Sequence, residues 1–212
     1  MDLLIAEEIL LLAYRPKGTP LVNLELLDHT LSAAVLSELC VLDRLVFEGG
    51  RLRPIGSGPV GDAELDTALA QLAVPEEPPE FGEWWQAMST TPRRRERLLG
   101  RLEERGAIRA ETRTYLRLFK EEVFAEADPA FRDSVKERVP AALAEAEPDR
   151  RMVALVSLAH AAGLVAKVFP KADRRRAADL AGRDRLGAVV AVAFKNAAAQ
   201  SVGKMAGGVG GG

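Results

Sequence analysis

Apolar residues recur at helical spacing along most of this chain, and one stretch stands apart from the rest. In Asp149 to Phe169, DRRMVALVSLAHAAGLVAKVF, the apolar positions run right round the helix instead of lying along one stripe. Between Met152 and Val168 there is no acid and one base, Lys167. A helix of that pattern is buried on every side. At about seventeen residues, with Ser157 and His160 inside it, it is too short and too polar for an easy membrane span. The pattern predicts the central helix of a mainly α protein, a compact helical domain with amphipathic helices packed around it.

The other elements follow in order. Asp2 can cap a helix through Leu3, Ile5, Ile9, Leu10, Leu12 and Ala13, which the loop Arg15-Pro16-Lys17-Gly18-Thr19-Pro20 breaks. A second helix runs from about Asn23 through Leu39, and Leu45 to Glu48 and Arg51 to Arg53 flank Gly49-Gly50 as a short hairpin. Asp62 caps a helix over Ala63 to Ala73, a short helix holds Trp84 and Trp85, and Thr91-Pro92 opens one that Gly106 closes. A second hairpin is expected over Ala107 to Ala110 and Thr114 to Phe119. Asp128-Pro129 starts a further helix, which Pro140 either kinks or divides. Lys171 to Ala181 reads as a basic helix and Gly187 to about Val202 as an apolar one. Residues 1–202 are expected to form one domain, with 203–212, rich in glycine, as a flexible tail.

Composition supports this picture, with 48% hydrophobic residues but only 5% aromatic, weighted to Leu, Ala and Val. Cys40 is the single cysteine, so no intrachain disulfide is possible and a reducing cytoplasm is expected. The first apolar run carries Glu7 and Glu8 and lacks a basic leader, which predicts a first helix and not a signal. Charge is uneven. Residues 1–91 hold 5 basic and 15 acidic side chains, residues 92–212 hold 24 and 16, and the basic half is the place to look for anionic partners.

Candidate chemistry is sparse. His29 and His160 have no ligand-forming neighbour at helical spacing, so no metal and no cofactor are expected, and His160 reads as a satisfied core histidine. No nucleophile–base pair or phosphate-cradling glycine loop is present in the sequence, which argues against an enzyme. The informative pattern is Pro92 to Gly106. At about 100° per residue, Arg93, Arg94, Arg97, Arg101 and Arg105 share one face, predicted to meet solvent or phosphate, while Arg95 falls with Leu98, Leu99 and Leu102. Guanidinium groups bind phosphate in a bidentate fork. For Arg95 an internal salt bridge and an anion pocket remain open alternatives. The run Lys171, Arg174, Arg175, Arg176 reads as a solvated face.

Five segments, LIAEEILLLAY, LSELCVLDRLVFE, PVGDAELDTAL, RERLLGRLEERGAI and DRRMVALVSLAHAAGLV, together resemble the Golgi phosphoprotein 3 family, particularly its bacterial, actinomycete-type members. The resemblance implies a mainly helical, non-enzymatic domain with a projecting β-hairpin. It implies binding to an anionic phospholipid headgroup, phosphatidylinositol 4-phosphate in eukaryotic members, and adaptor work at a membrane, here peripherally on the inner face. Where those members have a tryptophan after the first loop this chain has Asn23, and where they have an arginine on the next helix it has Ser32. Of two arginines on the later helix, the first falls at Pro92 and the second at Arg95, with Arg93 and Arg94 close enough to compensate. The lipid-binding set carried over is therefore Arg95, Arg94, Arg93, Asn23 and Ser32. The resemblance makes the 107–119 hairpin the element of membrane contact or homo-oligomerisation, through Ile108, Tyr115 and Leu116. The competing reading is a winged-helix-like nucleic-acid-binding or protein-interaction module, since a helix followed by a hairpin occurs twice; the sequence pI near 5.9 makes nucleic acid unlikely.

Overall fold

The computed structural model describes residues 3–74, 77–84, 93–115, 119–184, 186–189 and 192. Its first helix, α1 (Ile5–Ala13), is followed by α2 (Leu24–Val41), the hairpin β1 (Leu45–Glu48) and β2 (Arg51–Pro54), and α3 (Ala63–Ala73). A helical turn at 81–84 precedes α4 (Arg94–Glu104) and a longer hairpin, β3 (Ile108–Tyr115) and β4 (Phe119–Glu126). Four further helices close the order, α5 (Pro129–Ala144), α6 (Arg150–Ala161), α7 (Leu164–Val168) and α8 (Arg174–Arg183). The protein is mainly α with two separate two-stranded antiparallel sheets.

Local chemistry sets most helix starts. The side chains of Asn23, Asp62, Asp128, Asp149 and Asp173 each accept a hydrogen bond from an amide in the first turn that follows. Asp128 is assisted by Pro129 at the first helical position, and Pro140 stands inside α5 without dividing it. α1 starts differently from the expectation at Asp2. Glu7 Oε2 accepts from the Leu4 amide at 2.7 Å, and Glu38 Oε2 reaches across from α2 to accept from the Ile5 amide at 2.6 Å. Two carboxylates thus occupy the positive end of the helix dipole.

The core differs from the expected single long helix. α6 ends at Ala161, and Gly163, at φ +72°, turns the chain before α7, whose Ala166 and Lys167 are exposed. Every residue of α1 is buried, as is the middle of α2 from Thr30 to Leu39. α1, α2 and α6 pack on one another, with α4 and α5 against α1 and α8 against α6. Each fully buried leucine or isoleucine of this core contributes about 1.5–3 kcal/mol relative to exposure. His160 is half-buried near the end of α6.

The second hairpin is longer than expected. Ile108 pairs with Glu126 and Tyr115 with Phe119, so Arg109 to Arg113 lie within β3 and are not the hairpin's end. Arg113 and Glu121 are partners in the ladder's register. The base of the hairpin is fixed to the body by Arg132 Nε, 2.7 Å from Glu126 Oε2, and by the Glu126 amide donating to the Pro16 carbonyl at 2.9 Å. Gly18, at φ +79°, lies so close to Phe124 that a Cβ there would come within 2.9 Å of its backbone.

Candidate anion-binding site

The arginine face of α4 is only partly open to solvent: Arg93 and Arg97 are exposed, Arg101 and Arg105 are half-buried and Arg94 is buried. The face is turned onto carboxylates from α1, α3 and the loop before α3. Arg94 is 4% exposed, its Nη1 donating to Ser32 Oγ at 2.7 Å and its Nε lying 3.4 Å from Glu64 Oε2. Ser32 in turn donates to the Asp28 carbonyl at 3.0 Å. Arg97 also bonds Glu64, with Nη2 at 3.1 Å from Oε2. Arg101 lies 2.7 Å from Asp62 Oδ2 and 3.0 Å from the fully buried Glu7 Oε1, and Arg105 is 3.8 Å from the same Glu7 oxygen. The Arg101–Glu7 contact is a charge contact off hydrogen-bonding geometry, since Oε1 receives no aligned donor.

This corrects the expectation for Arg94, which is buried, and for Arg101 and Arg105, which are half-buried, while Arg97 stays exposed with Glu64 as its partner. Periodicity identifies the arginine face but not what lies opposite, and acids from distant segments lie there. Buried arginines without such partners would be prohibitively costly, and with them they cross-link four segments of the core. Burial lowers the Arg94 pKa, with Glu64 offsetting part of the effect, while the Asp62 hydrogen bonds raise that of Arg101. A parallel cluster holds the other acid of α1, in which Glu8 accepts from Arg138 and from Arg151, the latter at 2.9 Å.

Arg95, on the other side of the helix, is half-buried, with its side chain 19% exposed. Its Nη1 lies 2.8 Å from both oxygens of Asp28 and 3.4 Å from the Leu24 carbonyl. Burial raises the Asp28 carboxyl above its usual range, against the lowering pull of Arg95. Two further cations arrive at the same backbone stretch. Arg15 Nη1 donates to the Pro20 carbonyl at 3.3 Å, and Lys167 Nζ to the Leu21 carbonyl at 2.6 Å. Between them stands Asn23, whose Oδ1 accepts from the Glu25 and Leu26 amides at 2.8 and 3.3 Å. Arg93, exposed and at φ +64°, neighbours Arg95, and Leu24 is 41% exposed beside it.

The structure therefore brings Asn23 and Arg95 to one surface, leaves Arg93 exposed just before α4, and takes Ser32 and Arg94 below. Pro92 and Leu116 lie outside the described residues. Ile108, expected to serve membrane contact or self-association, is 6% exposed and packs in the core at the hairpin's base, because it is the first residue of β3. Tyr115 occupies the last residue of that strand. Sequence reasoning missed Arg15, Lys167 and Asp28. The lone base in the most apolar stretch was a usable signal for Lys167, and the loop Arg15-Pro16-Lys17 for Arg15. Nothing in the sequence joins Asp28 to a partner 67 positions away.

Among the described residues, no group of three or more His, Cys, Asp or Glu side chains is placed to hold a metal, and no helix is long and apolar enough to cross a membrane. The fold and the site define a helical, hairpin-bearing protein with a cationic loop surface beside an internally neutralised arginine helix. The chain belongs to the Golgi phosphoprotein 3 (GPP34) family, whose family model matches residues 5–205. It is a family of non-enzymatic adaptors. No curated protein matches the chain.

Proposed function

We propose that this protein is a non-enzymatic peripheral adaptor that binds an anionic phospholipid headgroup at the surface formed by residues 15–24 and the start of α4. The observation that carries the reading is the convergence of Arg15, Lys167 and Arg95, from three separate elements, on the carbonyls of residues 20, 21 and 24. Arg93 and Lys17 add exposed cations beside them. Cations near an anionic leaflet contribute about 1 kcal/mol each, so this set supports reversible association. A phosphomonoester such as that of phosphatidylinositol 4-phosphate suits Arg95 better than a phosphodiester, because a dianion gains charge attraction on displacing the Asp28 carboxylate and a monoanion gains little.

The hairpin supplies a second contact, for a membrane or for another copy of the chain. In sequence its outer part reads Tyr115-Leu116-Arg117-Leu118-Phe119, which is apolar but for one arginine. A nucleic-acid role for α4 draws no support from its side chains, since Arg94, Arg97 and Arg101 are committed to carboxylates.

Co-sedimentation with liposomes tests the reading. Vesicles containing phosphatidylinositol 4-phosphate should retain the protein at low salt, Arg95→Ala and Lys167→Gln should each lower retention about fivefold, and raised salt should release it. Failure of the unmodified protein to bind highly anionic vesicles at low salt would remove the membrane role.

A further inference from the structure

At the end of α2 remote from Asn23, the chain leaves a cleft of about 500 Å³ bounded also by β1, the start of α6 and Arg183, Asp184 and Leu186. That size lies within the range of small-molecule sites. At about 1.5 Å per residue of α2, it is about 25 Å from the cationic loop, so it is a separate feature. Its polar lining includes Ser37 and Cys40, one turn apart on α2, Asp184, and the charged Asp43, Glu48, Glu147, Arg150 and Arg183; half-buried Val41, Phe47 and Val153 supply apolar walls.

Two of these polar groups are unmatched. Ser37 is 3% exposed, and its Oγ has no hydrogen-bond partner. Asp184 caps the helical turn at 186–189, with Oδ1 accepting from the Leu186 amide at 3.2 Å, but its buried Oδ2 receives no donor in hydrogen-bonding geometry. The other acids around the cleft are matched by cations: Asp43 by Arg150 at 3.0 Å, Glu48 by Arg53 at 3.3 Å and Glu147 by Arg183 at 3.5 Å. Among the described residues, Asp184 has no such partner. Burial pushes its carboxyl above the usual range, with the Gly187 and Leu186 amides offsetting part of the rise. The Cys40 thiol is pushed up to about 12, by burial first and then by the Asp184 charge, which places the two groups together. A half-buried carboxylate without a cation among the described residues, in a cleft whose acids outnumber its arginines, is completed by a ligand that brings the charge.

We propose that this cleft binds an organic amine, whose ammonium group donates to Asp184 and Ser37 Oγ while its apolar body rests against Val41, Phe47 and Val153. Of three ligands with the same body, the ammonium satisfies both groups, a neutral alcohol supplies one hydrogen bond without charge, and a carboxylate is repelled.

Isothermal titration of the full chain with 2-phenylethylamine, 2-phenylethanol and 3-phenylpropionate tests this. The amine should bind saturably at one site, at least about tenfold tighter than the alcohol, with no binding of the carboxylate. Asp184→Asn keeps an acceptor for the Leu186 amide and should weaken the amine about tenfold or more while leaving the alcohol unchanged. Val153→Trp fills the cleft from a half-exposed wall position and should abolish amine binding, which answers the question independently if Asp184→Asn folds poorly. The proposal is overturned by absence of saturable amine binding, by equal affinities for amine and alcohol, or by undiminished amine binding in either folded variant.

Discussion

Arg95 Nη1 stands 2.8 Å from each oxygen of the Asp28 carboxylate, so the cation at the centre of the proposed lipid site already holds an anion of its own chain. Asp28 is 43% exposed at its side chain and can move aside. Asp28→Asn should therefore strengthen binding to phosphoinositide-containing liposomes by about fivefold, the effect of one unit of charge at a membrane surface. Arg95→Ala should weaken it, and co-sedimentation of the two variants beside the unmodified protein reads both effects.

The buried contacts of Arg94 predict a stability cost without a binding role. Arg94→Ala removes a cation from Glu64 and a donor from Ser32, and should cost about 3 kcal/mol, because the carboxylate stays buried with Arg97 as its remaining partner. Ser32→Ala should cost about 1 kcal/mol. Urea unfolding midpoints measure both.

Asp62 predicts the sign of an acid effect. Burial works to raise its carboxyl, but the Arg101 hydrogen bonds and charge and the Leu65 and Glu64 amides outweigh it, so the group titrates below its usual range. Its contribution is complete above the unfolded carboxylate value of about 4 and is lost as pH falls through the lower folded one. Asp62→Asn should cost about 2 kcal/mol at pH 7, and the difference should vanish near pH 2 in chemical unfolding followed by circular dichroism.

Leu155 is fully buried on α6, where that helix meets α1 and α2. Leu155→Asp would place an unpaired carboxylate there at a cost of several kcal/mol, against a typical total stability of about 5–15. The variant should lack a cooperative thermal transition.

Gly18→Ala should be destabilising by about 1–3 kcal/mol through both its left-handed backbone and the clash with Phe124. Hydrogen exchange should increase at the base of the β3–β4 hairpin more than in α6.

Helix positions were legible wherever a capping side chain preceded an apolar pattern, as at Asn23, Asp62, Asp128 and Asp149, because both signals are local. Two misreadings came from non-local physics. Lys120-Glu121-Glu122 looks unlike a strand, yet in β4 these residues pair with Thr114, Arg113 and Thr112, partners that become visible only once the hairpin register is known. The arginines of α4 look solvated because Glu7, Asp62 and Glu64 lie 30 or more residues away. Gly163 was a local signal that the surrounding apolar run masked. Of the proposed site, Arg93 and Arg95 stand out in the helical pattern and Asn23 only in the resemblance, whereas Arg15 and Lys167 gain meaning only from the carbonyls they reach.

The close approach of Gly18 to Phe124, with the Glu126 amide on the Pro16 carbonyl, makes the β3–β4 hairpin a lever whose fulcrum is the cationic loop itself. A load on the far end of the ladder cannot be absorbed at its base without moving residues 16–18, two positions from the Pro20 carbonyl that Arg15 holds. Tilting the hairpin and rearranging the proposed headgroup surface would therefore be one motion, and whatever grips one end would be felt at the other.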